Sequence, residues 1–439
     1  MQSNQKLQVE DRILQVLKKL GIEKTHVAGR LTMDWRGLAT NHPNKVSSLS
    51  LICPNAGIEP DILSTLGSRI CVLVGDTGPA SSSLREVTTK LPEATIDTLE
   101  NYTGLSWSDV AEERTRETLE FMTEFLGGLD REHRLDPVSL PEGEGEVAGI
   151  SYHISGTGPP LVLLPLGLAP SQWGPLIPSL SKRYCTITLG GTHLGIVHSL
   201  ETRGRSGYIR VVQALIDEAA PQSGDTILEV GCGTGVLDRW LARRTGGANK
   251  IIGLDINSYT LKEAAALAEK DGLADVIEFR KGSAEALPFE DETFDIAMSS
   301  TVMEEVNADL MLKEMIRVTK TGGRIAIGVR ATDMDLFVNL DLSPELKVKV
   351  QVNTGGSEEH GCSDASLYDR FNQADLTNIK MFPQLGTNSL ENLQFFESLV
   401  RSSLSSSEIE EWEMAVTQAK TRGTYLVAMP YHCAIGTKT

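Results

Sequence analysis

The chain of 439 residues is 40% hydrophobic and 23% charged, a globular composition long enough for two or three domains with cores of their own. Its 59 acidic against 41 basic residues give a net charge of -18, which argues against nucleic acid or an anionic membrane surface as a partner. Six scattered cysteines, without a C-x-x-C pair or metal-ligand spacing, predict buried thiols in a reduced, cytoplasmic setting and no metal site. The segment after Met1 lacks an apolar signal core, and no apolar run reaches the roughly 20 residues of a membrane helix.

In chain order, a first stretch at about 9–128 opens with a helical pattern over 11–20 and a strand pattern over 25–29. Strand patterns follow at 46–53 and 68–76, and a long helical pattern over 108–125 closes it. Residues 142–146, Glu-Gly-Glu-Gly-Glu, read as a linker. A second stretch, 145–200, holds strand patterns over 152–165 and a helical pattern over 173–184. In the third stretch, 205–439, strand patterns at 226–231, 250–255, 276–281, 294–300 and 323–329 alternate with amphipathic helical patterns. That alternation predicts an α/β fold, a parallel sheet covered on both faces. Residues 388–422 read as helical, with Leu390, Leu393, Phe396 and Leu399 on one face, ahead of a last strand over 423–432. Such an insertion is expected to form a lid over a substrate pocket.

The most specific segment is Thr226-Ile-Leu-Glu-Val-Gly-Cys-Gly-Thr-Gly235, a buried strand running into a glycine turn and a helix at 236–244. Gly231, Gly233 and Gly235 let the backbone approach a ligand, and the free amides of the helix start face it. Asp255, at the end of the next strand, is placed to accept both hydroxyls of a ribose. The spacing E-x-G-x-G-x-G from Glu229 resembles the first motif of class I S-adenosylmethionine-dependent methyltransferases, rather than the G-x-G-x-x-G of dinucleotide enzymes. Four later segments agree with the small-molecule, ubiquinone-biosynthesis type of that family. They are Lys281-Gly-Ser-Ala-Glu-Ala-Leu-Pro-Phe289, Asp291-Glu-Thr-Phe-Asp-Ile-Ala-Met-Ser-Ser300, the helix, glycine turn and strand over 315–327, and Gly361-Cys-Ser-Asp-Ala-Ser-Leu-Tyr368.

The resemblance implies a Rossmann-like domain over 205–439 with S-adenosylmethionine as cofactor and a small molecule as acceptor. Glu229 would hold the ammonium of the methionine tail and Asp255, with Ile256 beside it, the ribose. Ser283, Ala284 and Glu285 would border the adenine, with Ser299 at the fourth strand's end and Tyr208 as a cap on the methionine moiety or a core residue. Where relatives often carry Glu-His after the fourth strand, this chain has Glu304-Glu305, so these carboxylates are the candidates for a general base or for attracting a cationic substrate. Acids opening a helix also favour its dipole, a structural alternative for both. His360 and Cys362 lie in a glycine-rich loop, Gly355-Gly-Ser-Glu-Glu-His-Gly-Cys362, expected to line or close the acceptor site.

The two stretches within 1–204 resemble the halves of an α/β-hydrolase in reversed order, 9–128 the second half and 145–200 the first. The nucleophile turn of that fold needs G-x-S-x-G, and here it reads Gly29-Arg-Leu-Thr-Met-Asp34. Asp76, in Gly75-Asp-Thr-Gly78, stands where the acid would be, and residues 100–107 contain no histidine. Without nucleophile and base the module is expected to be inactive, a scaffold for enclosure or self-association into a homo-oligomer. Two alternatives remain: an esterase using Thr32 beside the methyltransferase, or a protein that binds S-adenosylmethionine without methylating.

Overall fold

The computed structural model describes residues 7–54, 63, 65–77, 81, 89–104, 108–132, 135–353, 356–387, 393, 396–397, 400–401 and 403–439. The chain divides into two compact units, Met1–Ser199 and Leu200–Thr439. Among the described residues no helix is long and apolar enough to cross a membrane.

The first unit runs α1 (Val9–Lys19), β1 (Thr25–Gly29), α2 (Thr32–Asn41), β2 (Val46–Ile52), β3 (Ile70–Thr77), β4 (Thr95–Thr103), α3 (Val110–Glu113) and α4 (Thr115–Glu132). It continues with β5 (Gly143–Val147), β6 (Ile150–Ser155), β7 (Pro160–Leu163), α5 (Ile177–Leu180), β8 (Cys185–Gly190) and the start of α6 (Gly195–Arg203). Its described strands form one eight-stranded sheet in the order β4-β3-β2-β1-β7-β8-β6-β5. The join between the two stretches is parallel, with His26 opposite Leu161 and Val27 opposite Val162. Every residue of β1 and β2 is buried, because helices cover both faces. Val27, Leu49 and Val72 pack on one side with Ile13 and Trp35, whereas Ala28, Ile52 and Cys71 pack on the other with Met122 and Trp173.

The first unit departs from three of the sequence-based expectations. The linker 142–146 is largely a strand: β5 pairs antiparallel with β6, and the missing side chain of Gly145 makes room for the Tyr152 ring. The helix over 108–125 is two helices, broken at Arg114, whose φ of -135° is not helical. The helix expected over 173–184 is reduced to one 3-10 turn, Pro170–Trp173, and the four-residue α5. Strand β4, mostly exposed and without a sequence-based expectation, closes one edge of the sheet.

The second unit takes in Leu200–Arg203 of α6, then α7 (Tyr208–Ala219), β9 (Thr226–Val230), α8 (Val236–Arg244), β10 (Lys250–Asp255), α9 (Ser258–Lys270), β11 (Ile277–Lys281), β12 (Phe294–Ser300) and α10 (Ala308–Val318). After these come β13 (Thr319–Arg330), β14 (Phe337–Val338), α11 (Pro344–Gln351), α12 (Ser366–Gln373), β15 (Leu376–Thr387), α13 (Ser406–Arg422) and β16 (Val427–Lys438). The sheet order is β11-β10-β9-β12-β13-β16-β14, with β15 also on β16. Strands β9 to β13 are parallel, and β16 returns antiparallel against β13. Five buried strand residues, Leu228, Ile252, Ala297, Ile325 and Ile327, face α10 and α12, while Ile227, Ile251, Ile296 and Ala326 face α7 and α8. Each large aliphatic side chain buried in this way contributes about 1.5–3 kcal/mol.

The last strand starts at Val427 rather than 423, because α13 runs to Arg422 and ends on Gly423 in a left-handed cap. A separate apolar cluster forms past the end of β13: Val338, Leu346, Val350, Leu393, Phe396, Trp412 and Val416. Of the apolar face expected over 388–422, Leu393 and Phe396 are buried in this cluster, and Leu390 and Leu399 lie outside the described residues. Gly78, Gly355 and residues 105–107 also lie outside them.

Candidate functional site

In the second sheet the chain steps outward from β9 to β11 in one direction and from β12 to β13 in the other. A crevice therefore opens beyond the carboxyl ends of β9 and β12, the place where open α/β sheets hold ligands. The glycine turn leaves β9 at this point. Gly231, Gly233 and Gly235 have φ of 78°, 55° and 66°, a left-handed region that side chains with a Cβ seldom enter. At Gly235 a Cβ would also sit 2.5 Å from the Phe279 ring.

Asp255 ends β10 beside that turn. Its Oδ2 accepts the Gly233 amide at 2.8 Å, and its Oδ1 accepts the Asn257 amide at 2.9 Å. Each oxygen keeps a second lone pair, so the carboxylate is both oriented and able to accept further hydroxyls. Burial raises its pKa, against the lowering effect of these amides. Ile256 next to it is 69% exposed, an apolar face left open at the crevice. Asn257 caps α9 by accepting from the Tyr259 and Thr260 amides.

Glu229 is buried at the end of β9, and burial together with Asp238 pushes its carboxyl well above the ordinary range. Ser299 spends its hydroxyl on the Val230 carbonyl at 2.8 Å, so it ties β12 to β9. Tyr208 is buried between the Arg203 guanidinium and the Tyr431 ring, and its hydroxyl donates to Ser300 Oγ at 2.7 Å. Ser283 accepts the Glu285 amide at 3.2 Å, and Ala284 is buried. Glu285 Oε1 accepts the Asn307 amide at 2.7 Å, which uses part of this side chain to hold the approach to α10.

The turn after β12 separates the two adjacent acids. Glu304 is 1% exposed and accepts the Arg330 amide at 2.8 Å, with the Arg330 guanidinium 3.7 Å away. Glu305 is exposed, within electrostatic reach of Arg203, Arg330, Asp255 and Glu358. Thr301, just before them, has a φ of 58°, a left-handed conformation unusual for a β-branched residue. Arg203 donates to its hydroxyl at 3.1 Å. Neither Arg203 nor Thr301 was singled out from sequence, because a strained backbone leaves no compositional signal.

His360 is exposed, and its carbonyl accepts the Ala308 amide. Cys362 is buried, with its thiol near Ser366 Oγ and the Asp364 carbonyl. Among the described residues no group of three metal-ligating side chains occurs, and all six cysteines are buried as free thiols. His432 bonds through Nδ1 to the Tyr368 hydroxyl at 2.9 Å and through Nε2 to Asp333 at 2.8 Å.

The corresponding crevice of the first sheet lies past β1 and β7. Arg30 fills the turn after β1: it is buried and donates to the carbonyls of Gly104 at 3.0 Å and of Ser108 and Leu166 at 3.3 Å. Asp34, fully buried, accepts the Gly195 amide at 3.0 and 3.1 Å. Asp76 accepts the Tyr102 amide at 3.0 Å.

Residues 228–327, from β9 through most of β13, match the family described as a methyltransferase domain. Residues 228–327 of the second unit are therefore a methyltransferase domain. The chain is 34% identical over 119 residues to the methyltransferase GfsG of Streptomyces halstedii, covering 27% of this chain and 42% of that protein. It is 34% identical over 113 residues to the ubiquinone/menaquinone biosynthesis C-methyltransferase UbiE of Hahella chejuensis, covering 26% and 45%. The chain thus spans less than half the length of these curated relatives. Among solved structures, YcgJ from Bacillus subtilis is 15% identical, with a TM-score of 0.35 over 52% of this chain and 98% of that one.

Proposed function

We propose that the chain is an S-adenosylmethionine-dependent methyltransferase that acts on a small-molecule acceptor and releases S-adenosylhomocysteine. The observation that carries this reading is the oriented Asp255 carboxylate beside the Gly233 amide at the strand crossover. The residues fit the cofactor: an acid at the end of β9 for an ammonium, a carboxylate with spare lone pairs for ribose hydroxyls, and the open face of Ile256 for a base. When bound, S-adenosylmethionine supplies a methyl group already activated on a sulfonium. The protein's part is then to fix direction and distance and to exclude water. Glu305, the exposed acid of its pair, is the candidate to take a proton from the acceptor. Glu304 holds the turn through Arg330. The cluster around Trp412 is suited to cover the acceptor.

The first unit we read as an inactive, permuted α/β-hydrolase-like scaffold. Its support is the single sheet joined through β1 and β7, together with the Arg30 side chain that fills the turn where a nucleophile would stand. Self-association through this unit is tested by sedimentation of the full chain. The net charge of -18 favours a small-molecule acceptor over a polyanion, in a cytoplasmic setting.

The test is S-adenosylhomocysteine release across a panel of thiols, amines, phenols, carboxylates and quinols. Turnover with one class, lost in Asp255→Ala, is expected. Silence with every class despite cofactor binding would favour a non-methylating role.

A further inference from the structure

Helix α8 begins with an acid whose surroundings are unusual. Acids in the first turn of a helix commonly face solvent, where they complement its dipole. Asp238 instead is 0% exposed and points down onto the sheet: a Cβ at Gly253 would lie 2.5 Å from its Oδ2. Gly253 is the register partner of Glu229 on the neighbouring strand. The absent side chain at Gly253 therefore leaves room for the Asp238 carboxyl on the face of the sheet that carries Glu229.

Neither Asp238 oxygen has a hydrogen-bond donor among the described residues when both acids are ionised. A proton on one of them changes this, because a protonated carboxyl can donate to the carboxylate beside it. Two adjacent carboxylates withdrawn from water do not both ionise readily. The surrounding charges do not remove the difficulty. On the turn the Cys232 thiol, and on β10 Asp255, add no positive charge. On α8, Arg239 is engaged with Glu201 at 2.6 Å and Asp271 at 3.1 Å. Arg203 of α6 acts on Glu229 as a more distant cation.

We propose that Glu229 and Asp238 work as one acid pair holding a single proton, which is released to solvent when the α-ammonium of the cofactor tail docks against Glu229. This rests on the S-adenosylmethionine reading above and adds Asp238 as a positioning residue. The charge balance is simple: the pair goes from -1 to -2 as one positive charge arrives and one proton leaves. The device selects an amino acid tail over a nucleoside without one, because only the ammonium compensates the second negative charge.

The experiment is titration calorimetry of the full chain with S-adenosylhomocysteine, which carries the same tail, in buffers of differing ionisation enthalpy from about pH 6 to about pH 8. Wild type is expected to release close to one proton per ligand at the lower pH, with affinity rising up to about tenfold per pH unit. Asp238→Asn is expected to bind with a flatter pH profile and little proton release, and Asp238→Ser serves where the amide variant does not fold. Binding by wild type without proton release and without pH dependence overturns the pair while leaving the cofactor reading intact. The same proton release in the Asp238 variants as in wild type also overturns it. No binding by wild type at any pH overturns the cofactor reading itself.

Discussion

The Asp255 carboxylate and the Gly233 amide lie 2.8 Å apart, so the acid that ends one strand fixes the turn that ends its neighbour. Loss of this side chain removes a ligand contact and loosens the turn together. Hydrogen bonds to charged groups are worth about 1.5–3 kcal/mol each. Asp255→Ala is therefore expected to weaken S-adenosylhomocysteine binding by about tenfold to a hundredfold, measured by calorimetry, with the protein still folded. Unchanged affinity would remove Asp255 from the site.

Glu305 and Glu304 are adjacent in sequence but opposite in exposure. Glu305→Gln is expected to lower kcat by about a hundredfold for an acceptor that must lose a proton. Its affinity for S-adenosylhomocysteine should stay within twofold, roughly the limit of a neutral surface change. Equal loss with an acceptor that has no proton to lose would point to structural damage.

Asp34 gives a stability signature. Complete burial raises its pKa to about 7, opposed by the Gly195 amide. The folded state thus holds the proton more tightly than the unfolded chain, so this residue's contribution falls as pH rises from about 4 to about 7. At about 1.4 kcal/mol per pH unit, the fall approaches roughly 4 kcal/mol. Thermal melts of Asp34→Asn and wild type should diverge in favour of the variant as pH rises across that window. A difference independent of pH would show that Asp34 is ionised throughout.

Trp412 is 1% exposed at the centre of the cluster past β13. Trp412→Ala is expected to cost about 3–5 kcal/mol locally. Hydrogen exchange should accelerate in α11 and α13 while β9 and β12 stay protected. Uniform acceleration across the sheet would mean that the cluster is not a separate cap.

The parallel strands and helices of the second unit were legible because burial imposes a periodicity on side chains, as in Phe294–Ser300 and Val236–Arg244. Features held by the backbone were not. Strand β5 is glycine and glutamate except for Val147 and owes its place to pairing with β6. Thr301 donates its amide to the Gly328 carbonyl and Asp238 is buried over Gly253, in both cases a neighbour distant in sequence. Arg30 reads as an ordinary turn residue until the carbonyls of Gly104, Ser108 and Leu166 are seen around it.

Strand β16 sits inside its sheet, between β13 and β15, although it comes after every other strand in the chain. The first sheet shows a related delay, since β1 finds its neighbour β7 only after β2, β3 and β4 have been made. During synthesis, each nascent sheet therefore waits with apolar strands unpaired until a late strand emerges from the ribosome. Pairing across such long loops is slow and leaves edges open to other chains. Yield in a cell should depend on translation speed and chaperone supply more than the finished fold would suggest.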